Sequence, residues 1–84
     1  MDKEAIGTLF DKYLKIAIPE FEGKEISRDE TFEVLGVNSL DRVDVISMVL
    51  DDLSLQVSQI ELFDLNSISA LSAFLESELK VGQR

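Results

Sequence analysis

The stretch LGVNSLDRVDVISMVLDDL, residues 35 to 53, decides the reading of this chain. It places one serine, Ser39, directly after an asparagine and at the head of an acidic segment with helical periodicity. Leu40, Val43, Ile46, Val49, Leu50 and Leu53 fall on one stripe, with Asp41, Asp44, Asp51 and Asp52 elsewhere. Asn38 is a strong helix N-cap, and Asp41 three residues later makes a capping-box-like arrangement, so Ser39 takes the first helical position and points outward. A serine there is ordinarily a solvent-exposed or secondary capping residue. Nucleophilic catalysis by Ser39 is set aside, because the chain has no histidine and no lysine nearby to act as its base. A helix N-terminus does favour a phosphate, through its unpaired amides and its dipole, and Ser39 is placed to carry a phosphodiester.

Outward from this segment the chain alternates helical patterns with breaks. Residues 3 to 18 put Ile6, Phe10, Tyr13, Leu14 and Ala17 on an amphipathic stripe that Pro19 ends. Residues 19 to 38 are too irregular for one long element and read as a long loop, with Ile26, Phe32, Val34 and Leu35 expected to pin it to the core. After Leu53, SLQV resembles a short extended link. A single turn follows at SQIELFD, where Ser58 caps and Glu61 sits three residues on. The last helix runs from about residue 67 to 79, with Ile68, Leu71, Leu75 and Leu79 inward and Ala70, Ala73 and Phe74 on its flanks. Residues 80 to 84, KVGQR, are expected to fray. The pattern predicts an all-α fold: a four-helix bundle of three main helices and a short third one, with a long first loop. It reads as one domain over residues 1 to 84, with its core at about 3 to 79.

Composition narrows the function further. A chain of 84 residues, 45% of them hydrophobic, can form a small core without room for a deep enzyme cleft, so autonomous catalysis is not expected. The absence of cysteine and histidine removes disulfides, thiolate metal sites and the usual zinc ligands. A net charge of −9 disfavours nucleic acid and anionic lipid and attracts basic protein surfaces. No apolar run approaches the roughly 20 residues that span a membrane, and the charged N-terminus carries no signal-peptide pattern. A soluble, cytoplasmic monomer is expected.

The run Leu35-Gly36-Val37-Asn38-Ser39-Leu40-Asp41, with Phe32 three residues before it, resembles the attachment motif of acyl carrier proteins. The likeness extends from about residue 5 to residue 79. It implies a four-helix carrier whose Ser39 receives a 4'-phosphopantetheine arm from coenzyme A, through a phosphopantetheinyl transferase acting under magnesium. The arm's thiol would then hold acyl groups as thioesters. Such a carrier needs no base, metal or cysteine of its own, in keeping with the composition. The resemblance also implies that the acidic second helix, here with Asp41, Asp44, Asp51 and Asp52, meets basic patches on client enzymes.

Three departures from fatty-acid carriers stand out: Asn38 replaces the usual aspartate, Arg42 puts a cation in the first turn, and QIELFDL is more apolar than the usual short helix. The combination Asn-Ser-x-Asp-Arg resembles the free-standing donor carriers of polyketide β-branching cassettes. There, an acyltransferase and a ketosynthase-like decarboxylase produce the acetyl group delivered to a hydroxymethylglutaryl-CoA synthase-like enzyme. A general type II fatty-acid or polyketide carrier is the alternative. An unmodified acidic adaptor leaves the joint occurrence of Phe32, Leu35, Gly36, Ser39 and Leu40 unexplained. Arg42 reads as a recognition residue, felt in acetyl transfer before folding, as a partner of the phosphodiester, or as an ordinary solvated arginine. Val43, Met48, Ile60, Leu62 and Phe63 read either as core or as a cleft and client contact, with Met48 and Leu62 the best candidates for exposure.

Overall fold

The computed structural model describes residues 1–82. Helix α1, Lys3–Ala17, is capped by Asp2, whose Oδ1 accepts from the Ala5 amide at 2.9 Å. Its inner face is Ile6, Gly7, Phe10 and Leu14. Helices α3, Ser39–Leu53, and α5, Ile68–Gly82, both pack on α1. The shared core adds Val45, Ile46, Val49 and Leu50 from α3, and Ile68, Leu71 and Leu75 from α5. Between them α4, Gln59–Leu62, is a single turn held by a full capping box: Ser58 receives a first-turn amide and Glu61 answers the Ser58 amide. The expected bundle of three long helices and a short one is present, and among the described residues no strand is formed.

The first loop is more ordered than its sequence suggests. It contains a 3₁₀ turn at Pro19–Phe21 and a one-turn helix, α2, at Phe32–Leu35. Ile26 and Phe32 are buried as expected and Leu35 is half-buried, but Val34 is 69% exposed. Val37 takes its place, because the α2 corner turns residue 37, not 34, toward the core. Polar bonds do the rest of the pinning. Arg28 pairs with Glu4 at 3.2 Å and Asp11 at 3.1 Å on α1, and its carbonyl accepts from the Ser69 amide at 2.8 Å. A Cβ at residue 7 would meet the Arg28 guanidinium, so a larger residue there would force that side chain, and its pairs with α1, to shift. At the other end of α1, Tyr13 donates to Asp52 at 2.6 Å. That hydrogen bond, then desolvation and the charges of Asp52 and Asp51, raise the Tyr13 pKa above its ordinary 10.0.

Two further expectations are corrected. Leu40 and Val43, assigned to the inner stripe of the Ser39 helix, are 79% and 46% exposed, and Val45 is buried instead. Val43 borders the open crevice between α3 and α4 rather than the closed core. Residues 80 to 82, expected to fray, continue α5 as far as Gly82; residues 83 and 84 of that expected tail lie outside the described residues.

Leu62 is the sole buried residue of α4, while Ile60 on the same turn is 86% exposed. Leu62→Ala should therefore cost about 2–5 kcal/mol, and Ile60→Ala less than about 0.5 kcal/mol. Urea unfolding followed by circular dichroism checks both, and equal losses would contradict this placement of α4.

Candidate functional site

The corner before Ser39 is built by three residues. Gly36 ends α2 in the left-handed conformation, φ 83°, and donates to the Glu33 carbonyl, while the Val37 amide donates to the Phe32 carbonyl at 2.9 Å. This pairing is a Schellman stop, and the apolar contact it calls for comes from Phe32 and Val37, both buried. The chain is then free to leave the core. Asn38 adopts an extended conformation, and its Oδ1 accepts from the Asp41 amide at 2.8 Å. Among the described residues Asp41 returns no side-chain bond to Asn38, so the cap is one-sided. Ser39 is exposed at the first position of α3, where the amides of Ser39 and Leu40 lie ahead of the intrahelical ladder.

Ser39 stands between two hollows. On one side is an apolar crevice of about 170 Å³ between α3 and α4, lined also by Val43, Ile46, Gln59, Ile60 and Phe63. On the other lies a wider, more polar hollow of about 380 Å³, bordered by Glu33, Asp64 and Asn66. Arg42 borders both. Leu62, expected as an exposed contact, is fully buried; the single turn of α4 drives it inward and leaves Phe63 74% and Ile60 86% exposed. Met48 is half-buried against the core. Asp44 and Asp51 are exposed and Asp41 is half-exposed, whereas Asp52 is engaged by Tyr13. Periodicity turned Leu40 inward and missed Gln59, a polar side chain whose partners carry no sequence signal; Ile60, read as core or cleft, lines the crevice.

Arg42 is half-buried and bonded within the chain. Its Nη2 donates to the carbonyls of Leu65 at 2.8 Å, Phe63 at 2.9 Å and Leu62 at 3.4 Å, and its Nη1 donates to Asn66 Oδ1 at 3.2 Å. The guanidinium also lies over the rings of Phe32 at 5.1 Å and Phe63 at 5.9 Å. A cation in the first turn of a helix is mildly unfavourable to its own dipole, but the length of arginine carries the charge to the carbonyls at and just beyond the end of α4. Asn66 extends the network: its side-chain amide donates to Glu33 and its carbonyl accepts from the Phe32 amide. Arg42 thus has a structural role within the fold, and the expectation that it is an ordinary solvated arginine is not met.

The site therefore consists of an outward hydroxyl at a helix start, with unpaired amides and an apolar crevice beside it. Among the described residues no group of three or more acidic side chains could hold a metal ion. These features suit a phosphodiester-linked arm on Ser39. The profile of the family described as "Phosphopantetheine attachment site" matches residues 4–75. The chain belongs to this family of acyl carrier proteins, whose cofactor is phosphopantetheine. It is 32% identical over 80 residues to the polyketide biosynthesis acyl-carrier-protein AcpK of Bacillus subtilis (strain 168), covering 95% of this chain and 98% of that protein. A chain in the crystal structure of the curacin biosynthetic pathway HMG synthase in complex with acetyl donor-ACP superposes with a TM-score of 0.85. That match has 31% identity and covers 92% of this chain and 99% of the other.

Because Arg42 satisfies several carbonyls at once, Arg42→Met should destabilise the fold by about 2–4 kcal/mol. Arg42→Lys should recover part of this, since a compact ammonium cannot span the same set of acceptors. Urea midpoints of the three proteins provide the test; indistinguishable midpoints would return Arg42 to the solvated class.

Proposed function

We propose that Ser39 bears the phosphopantetheine arm and that the protein is the acetyl donor of a β-branching step. In that step it delivers its cargo to a hydroxymethylglutaryl-CoA synthase-like enzyme. The observation that carries the assignment of Ser39 is its exposure at the unpaired first turn of α3, next to the one apolar crevice among those described that reaches a hydroxyl at a helix start. The donor role is supported by the likeness to a chain from a complex of an HMG synthase with an acetyl donor carrier. A phosphopantetheinyl transferase loads the arm from coenzyme A, which puts the protein in the cytoplasm. An acyltransferase and a ketosynthase-like decarboxylase then supply the acetyl group. Among the described residues no helix is long and apolar enough to cross a membrane.

Docking on these clients uses the face around Ser39. Asp41, Asp44 and Asp51 steer encounter with basic surfaces, an effect that weakens with salt. The exposed side chains of Leu40, Val43, Ile60 and Phe63 supply the apolar contact that follows.

Two outcomes test this reading. After incubation with coenzyme A and a broad-specificity phosphopantetheinyl transferase, the native protein should gain the mass of one arm. Ser39→Ala should gain none and keep its helical circular dichroism, because Asn38 still holds the cap; retained loading would refute the assignment. In a competition followed by thioester mass, the acetyl-loaded protein should be consumed by the synthase-like enzyme well ahead of an acetyl-loaded fatty-acid carrier. Asp44→Lys with Asp51→Lys should slow that consumption more at low salt than at high salt. Equal turnover of both carriers would leave a general acyl carrier and remove the donor role.

A further inference from the structure

The helix that walls the crevice is too short to hold itself in place. Helix α4 has four residues and buries only Leu62, so apolar packing fixes one point along it and leaves its two ends to other forces. Both ends are tied by side-chain hydrogen bonds to or from α3. At the C-terminal end Arg42 holds the carbonyls of Leu62, Phe63 and Leu65. At the N-terminal end the amide of Gln59 donates to the Val43 carbonyl at 3.3 Å and to Ser47 Oγ at 3.1 Å. Gln59 and Arg42 also line the crevice, so the groups that tie α4 down are the ones that bound its space.

That space is small. An apolar cavity of ~150 Å³ accommodates one benzene molecule, so about 170 Å³ accepts on the order of six carbon atoms. The end of an arm with an acetyl group can enter, whereas an eight-carbon chain needs α4 to move away from α3. We propose that Gln59 and Arg42 are a pair of positioning residues that lock α4 against α3 and thereby restrict the crevice beside Ser39 to short acyl groups. The proposal rests on Ser39 bearing the arm. It assigns Gln59 a role in cargo selection that its sequence position did not suggest. Gln59 is also the softer of the two locks. Its two bonds are long and neutral, and Gln59→Ala leaves the Ser58–Glu61 box and the Leu62 anchor in place.

The test compares native protein, Gln59→Ala and Arg42→Lys, each loaded from acetyl-coenzyme A or octanoyl-coenzyme A with a broad-specificity phosphopantetheinyl transferase. The readout is the rate of thioester cleavage by neutral hydroxylamine, followed by intact mass. Octanoyl on the native protein should be cleaved within about twofold of octanoyl-coenzyme A, because the locked crevice shelters it little. Gln59→Ala should slow octanoyl cleavage at least ~threefold, the shift expected from losing two modest hydrogen bonds that favour the closed state, and leave acetyl cleavage unchanged. Arg42→Lys should act in the same direction. In the unloaded protein, hydrogen exchange of the α4 amides should rise in Gln59→Ala while the α1 and α5 amides keep their protection. A native protein that already protects octanoyl would overturn the proposal. So would a Gln59→Ala variant that leaves octanoyl unprotected or changes both chain lengths equally. Failure of the native protein to load at all would instead overturn the assignment of Ser39, and the lock with it.

Discussion

The guanidinium of Arg42 is the interaction on which the functional end of this molecule depends. Three long helices supply the core, but none of them builds the region around Ser39 unaided. That region is assembled from pieces too short to be stable alone: a four-residue α2, a four-residue α4 and the link into α5. Helices of one turn leave most of their carbonyls without partners, and carbonyls shielded from water need donors. Arg42 offers several donors on one rigid plane, and it spends them on the end of α4 and on Asn66, which in turn bonds Glu33 and Phe32. Lysine has the charge without the geometry. The cation that looked out of place in an acidic helix is the joint between α2, α3, α4 and the approach to α5.

A second constraint acts on Ser39 itself. An arm-bearing residue, as Ser39 is proposed to be, must be accessible while the chain a few residues away is anchored, and the corner meets both demands within three residues. Val37 is buried, Asn38 caps, and Ser39 is exposed. Glycine at residue 36 makes this possible, since the left-handed turn that redirects the chain strains any side chain with a Cβ. The consequence is a serine that nothing else in the fold requires. Its removal costs little stability, which suits a residue whose chemistry belongs to an added group and to the enzymes that meet it.

The surface around the site divides its tasks by range. Carboxylates along α3 act over a distance of about a Debye length, ~8–10 Å at physiological salt, and can bring a basic partner into the right half of space. They cannot define a close fit. The exposed apolar side chains Leu40, Ile60 and Phe63 stand near the serine and, in the proposed docking, would act on contact. Asp52, which composition counts with the other acids, belongs to neither group, because Tyr13 holds it against α1.

Much of this was legible in the order of residues alone. The three long helices, the capping of α3 by Asn38, the box at Ser58 and Glu61, and the outward place of Ser39 all follow from local rules that act within a few residues. The attachment motif carries its own geometry, since Leu-Gly-Val-Asn-Ser encodes a helix stop, an anchor, a cap and a free hydroxyl in sequence. What periodicity could not determine was which apolar residues would find cover. Leu40 and Val43 continue the stripe of α3 yet stay exposed, and on the one turn of α4 Leu62 is buried while Ile60 is not. Arg42 and Gln59 were still less accessible to sequence, because their partners are backbone carbonyls, an asparagine and a serine 12 to 24 residues away. A carbonyl carries no mark in the sequence, and only the tertiary structure, by bringing α4 within hydrogen-bond reach of α3, decides which side chain it meets.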